Sequence, residues 1–143
     1  MNTRESGEKL IAEARRILER DVRGALDDGD HNLAVRRSQE VVELMLKGGL
    51  KLLGIDYPKV HDVAPVFISQ VRARLPQAGQ SDLERIEEIS FWLSQARVPS
   101  FYMEKDYGEA DAQKAFADAT WLVGQILRLR LTSPSQLEGD KQG

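Results

Sequence analysis

Apolar residues recur at helical spacing along most of this chain, and the longest such run lies between Asp30 and Gly54. Ala34, Val41, Val42, Met45, Leu46, Leu50 and Leu53 fall on one wide stripe, and Gly49 shares the face of Val42, Met45, Leu46 and Leu53. This spacing predicts a long amphipathic helix with one buried face. Polar residues interrupt the stripe: Ser38, Gln39, Glu43 and Lys47 lie in its path. The remaining elements are expected to pack around this helix.

Residues up to about Ser6 are expected to fray. From Gly7 to Leu26, the residues Leu10, Ala14, Ile17, Leu18, Val22 and Ala25 predict a second amphipathic helix. Its other face carries mixed charge that suits solvent, with i,i+4 pairs such as Glu19 and Arg23. Asp27 to Asp30 reads as a turn, and Asp30 can cap the helix that follows. A short turn between two long helices implies an antiparallel hairpin. Gly48 and Gly49 sit inside the central helix at a cost of roughly 1 kcal/mol each relative to alanine. Another backbone is therefore expected to pass close by, within the core or across a dimer interface. Gly54 is the expected C-terminal cap.

Further along, Asp62 is the expected N-cap of a third helix, with Pro65 in its first turn and Phe67, Ile68, Val71 and Leu75 buried. Ser81 and Glu84 form a capping-box pattern ahead of the stripe Leu83, Ile86, Ile89, Leu93 and Ala96. Pro99 is expected to end that helix. The segment from Arg97 to Gly108 then reads as a loop whose aromatics pack on the body. A last helix runs from about Glu109 to Leu131, and the polar tail from Thr132 to Gly143 is expected to be disordered. No period-two alternation bounded by turns appears, so no strand is required. The predicted fold class is all-α: an antiparallel up-and-down bundle of about five helices over residues 7–131.

Composition narrows the chemistry. A length of 143 residues fits one domain with a real core. A formal net charge of -3 does not suggest wrapping of long nucleic acid by bulk charge, although it leaves room for a local basic patch. With no cysteine, a disulfide framework, a thiolate zinc site and a cysteine nucleophile are excluded. Two histidines cannot build an all-histidine metal cage, and nothing at ligand spacing supports a mixed site, so neither metal nor cofactor is expected. The polar start and the absence of a spanning apolar run predict a cytoplasmic protein.

Three segments carry a resemblance to a known family. The first is Gly29-Asp30-His31 followed by Ala34, Ser38-Gln39-Glu40-Val41-Val42-Glu43 and Lys47, ending at Leu52-Leu53-Gly54. The second is Pro58-Lys59-Val60-His61-Asp62-Val63, and the third is Ala96-Arg97-Val98-Pro99, leading through Tyr107 to Asp111-Ala112. In order and spacing they resemble the HEPN family, the higher eukaryotes and prokaryotes nucleotide-binding domain. The resemblance covers most of residues 8 to 130. It implies a helical bundle that dimerises around its central helices and arginine region. Ribonuclease members of that family carry a histidine four to six residues after the arginine. Here that window holds Tyr102 and no histidine. A tyrosine, with an ordinary pKa near ~10, shuttles protons poorly at neutral pH. The chain thus resembles the non-nuclease branch. That branch implies nucleotide binding, or partnership with a small nucleotidyltransferase or a toxin, and no catalytic residue.

The candidate ligand-binding residues are Arg97, Tyr102, Glu43, Lys47, Arg36 and His61. A guanidinium fork at Arg97 suits phosphate or carboxylate, and otherwise it caps helix carbonyls. Glu43 and Lys47, four apart beside the buried stripe, read as a structural pair or as the floor of a ligand site. His61 reads as a helix-start residue or, in a divergent ribonuclease, as the partner of Arg97. Arg36 and Arg37 read as solvated helix face, or as part of a phosphate site if the fold brings them to Arg97. Trp92, Phe101, Tyr102, Tyr107 and Trp121 read as core or interface anchors ahead of base-stacking platforms.

Overall fold

The computed structural model describes residues 3–132. The first rod is continuous: α1 (Thr3–Arg16), a π-helical segment (Ile17–Val22) and α2 (Arg23–Asp27), with αR dihedrals at both junctions. Thr3 to Ser6 are helical, not frayed, because Gly7 docks this end on the central helix. The other rods are α3 (His31–Leu52), α4 (Ala64–Arg74), α5 (Gln80–Phe101) and α6 (Glu109–Leu129). The described residues are thus an all-α bundle without strands, as the periodicity predicts. The expected disordered tail lies outside the described residues beyond Thr132.

Helix α3 touches every other rod, so it is the axis of the core. Asp30 starts it, its carboxylate accepting from Leu33 N–H at 3.2 Å. Gly54 ends it at φ 80°, with Ile55 N–H donating back to the Leu50 carbonyl. That left-handed position is cheap for glycine and costly for a side chain. Gly48 fulfils its expectation inside the single chain. A Cβ at Gly7 would lie 2.8 Å from the Gly48 carbonyl oxygen, so α1 and α3 cross almost backbone to backbone. A Cβ on Gly49 would strike Phe67 at 2.8 Å.

Three further helix boundaries differ from expectation. Asp62 is not the N-cap residue. Helix α4 begins at Ala64, with Val63 at the cap position and Pro65 in the first turn. The Asp62 carboxylate still accepts from Ala64 N–H at 3.3 Å, but its shorter bond, 2.7 Å, comes from the Ser90 hydroxyl on α5. The predicted box of Ser81 and Glu84 does not form, because α5 starts earlier, with Gly79 at the N-cap and no side-chain cap bond. Pro99 does not end α5, which runs on to Phe101. Proline lacks the N–H that would bond the Gln95 carbonyl, and only two helical residues follow it.

The turn after α5 is where the sequence reading fails most. Val98, Phe101, Tyr102 and Met103 are between 52% and 67% exposed, so this apolar segment does not pack on the body. Of the segment's aromatics only Tyr107 is buried. The backbone is held by Asn32, a residue the periodicity did not single out. Its side-chain NH2 donates to the Lys105 carbonyl at 2.8 Å, and its side-chain oxygen accepts from Tyr107 N–H at 2.8 Å. Trp92 and Trp121 are half-buried anchors between α5 and α6. Trp92 donates to Asp118, and the Lys114 ammonium sits over its ring.

Candidate functional site

Arg97 leaves α5 one turn before its end, and Arg36 leaves the first half of α3. With Glu40, Val98, Phe101 and Tyr102 they line a cleft of about 330 Å³. Arg36, Arg97 and Tyr102 therefore converge. A smaller cavity of about 170 Å³ adjoins it, sharing Arg36 and Phe101. The Arg36 guanidinium lies over the Phe101 ring at 4.8 Å, and Phe101 meets Tyr102 edge to face at 4.8 Å. The aromatics, both more than half exposed, therefore form a lip on a basic cleft.

The charge in this cleft is unbalanced. Glu40 is shared between Arg37, at 2.8 Å, and Arg36, at 3.9 Å. The Arg36 Nε lies buried without a hydrogen-bond partner. Arg97 has no carboxylate in ion-pair range among the described residues. Its Nη1 donates instead to a neutral group, the Gln39 side-chain oxygen, at 2.6 Å. A protein of net charge -3 therefore concentrates local positive charge in this cleft, which is the arrangement that attracts an anion.

Behind Gln39 the polar chain continues. The Gln39 Nε2 donates to Glu43 Oε1 at 2.9 Å, and Lys47 Nζ donates to Glu43 Oε2 at 2.8 Å. His61 Nδ1 meets the same Glu43 Oε1 at 2.8 Å. Glu43, Lys47 and His61 form one cluster beside the cleft, connected to Arg97 through Gln39. Gln39 itself is 1% exposed. Burial pushes the Glu43 carboxyl upward, but hydrogen bonds from Lys47, Gln39 and His61 outweigh it and hold the group below its ordinary value. Gln39, which the periodicity shows only as a polar break in the stripe, is the residue that joins Arg97 to Glu43. The available signal was a polar side chain on a stripe that is otherwise buried.

Among the described residues no histidine lines the cleft. His61 is exposed and engaged by Glu43, with Gln39 and Glu43 both standing between it and Arg97. Among the described residues no helix is long and apolar enough to cross a membrane.

Comparison with curated proteins and with solved structures finds no match. The sequence model of one family, described as the HEPN domain, matches residues 7–128. That span takes in nearly all of each rod and the whole cleft. By this match, which covers well over half of its length, the chain belongs to the HEPN domain family.

Proposed function

We propose that this chain binds the phosphates of a nucleotide between Arg36 and Arg97, as a HEPN protein of the non-nuclease branch. The observation that carries the reading is the cleft itself: Arg36, whose nearby carboxylate is shared with Arg37, beside Arg97, which has a neutral amide partner, with an aromatic lip and no imidazole among the lining residues. Phosphate oxygens would bridge the guanidinium groups of Arg36 and Arg97, and a base could rest on Tyr102. The exposed segment of Val98, Phe101, Tyr102 and Met103 supports a homodimer or a nucleotidyltransferase-type partner that covers it. Isothermal titration with ATP, GTP and short RNAs tests the ligand. Binding that disappears with Arg97→Ala is the expected result; no heat from any of these ligands, and no change in the variant, defeats it.

The rival reading is a divergent, metal-independent ribonuclease that pairs Arg97 with His61. The Gln39–Glu43 bridge between the two argues against it. Cleavage of labelled RNA lost in both Arg97→Ala and His61→Ala would restore it. An antitoxin-type structural partner would instead co-purify with a toxin and bind no nucleotide.

A further inference from the structure

A buried or half-buried guanidinium needs an acceptor to hold it in place. A carboxylate would orient Arg97 strongly but cancel its charge, and water would leave the charge but not the orientation. Gln39 supplies a third arrangement. Its oxygen accepts from Arg97 Nη1 at 2.6 Å, and its nitrogen donates to Glu43 Oε1 at 2.9 Å. The amide can stand only this way round, because arginine is donor-only and an ionised carboxylate is acceptor-only. Its orientation is therefore fixed by chemistry at both ends. Glu43 is fixed in turn by Lys47 and His61, at 2.8 Å each, and Lys47 balances its charge on the side away from Arg97. The order along the chain of contacts is cation, amide, carboxylate, cation.

From this geometry we infer that Gln39 is a positioning residue: it aims Arg97 into the cleft while leaving its charge free for an anionic ligand. The inference rests on the nucleotide reading above and adds to it the residue that keeps the cleft cationic. It also gives Glu43, Lys47 and His61 a place in the site without contact to ligand, as the anchor of the amide.

The test exchanges the two polar residues, Gln39→Glu with Glu43→Gln. Composition and net charge are unchanged, and each position keeps a hydrogen-bonding side chain, but the carboxylate moves one turn to face Arg97. With ATP as the probe, the exchange is expected to melt close to the wild-type temperature yet bind at least about tenfold more weakly, the scale of one charge-assisted hydrogen bond. Gln39→Met, which removes the acceptor but adds no charge, is expected to weaken ATP less than the exchange does. Should the exchange fail to fold, Gln39→Glu alone read against Gln39→Met carries the same contrast. Wild-type affinity in the exchange, or a loss in Gln39→Met as large as that in the carboxylate variant, overturns the role of Gln39 and leaves the cleft standing. Absence of ATP binding by the unmodified chain overturns the nucleotide reading and this inference together.

Discussion

Glu43 shows how one side chain on a buried stripe can be both costly and useful. Its side chain is 15% exposed, and it stays ionised because three donors meet its two oxygens. A carboxyl held below its ordinary value of 4.5 stabilises the fold above that value. The contribution is lost as pH falls from there through the folded value. Glu43→Gln should therefore be less stable than the wild type at neutral pH, by about 1.5–3 kcal/mol for lost bonds to a charged group. In urea melts across pH, that gap should close on the acid side of 4.5. A gap that widens with acid would show that the carboxylate is not held ionised. Asn32 acts differently, through backbone groups. Asn32→Leu leaves the Tyr107 N–H and the Lys105 carbonyl without their partner, and is expected to cost about 1–3 kcal/mol in urea denaturation. The same change should free the turn that carries Phe101 and Met103.

At the scale of the element, the hydrophobic period located the rods, and short-range rules placed their ends less well. Asp30 and Gly54 behaved as their chemistry dictates, because each acts on its own neighbours in sequence. Asp62 did not, because Ser90, distant in the chain, competes for its carboxylate. Pro99 departs from its local rule in a similar way: its local effect is to break a helix, but the turn beyond it is held by Asn32 from another rod. The exposed lip was illegible for a different reason, since apolar composition alone cannot tell a packed loop from one that meets a partner. That turn also holds Met103 at φ 58°, a region that costs an ordinary residue roughly 1–2 kcal/mol. Met103→Gly should then raise the thermal midpoint slightly, and a clear drop would mean that the Met103 side chain is itself needed there. Gly48→Ala should do the reverse. Its Cβ would meet Ile11 at 2.8 Å and the Gly7 carbonyl at 3.1 Å, so α1 must shift, and a loss of about 1–3 kcal/mol is expected in the same melts.

For the whole molecule, the bundle does two jobs with one central helix. The inner stripe of α3 builds the core, while Arg36, Gln39, Glu40 and Glu43 on the flank of the same helix build the cleft and its support. Both are visible in part in the sequence: Arg36, Arg97 and Tyr102 stand out there as candidates and do converge. Their neighbours Glu40 and Phe101 had no role there as cleft residues, because the convergence depends on how α5 crosses α3. The direct test of the central claim is to titrate ATP into the isotope-labelled full chain and follow the side-chain N–H signals of Arg36 and Arg97 by NMR. Both signals should move together and saturate. Signals that stay still while ATP shifts resonances elsewhere, or nowhere, would contradict the assignment of this cleft as the phosphate site.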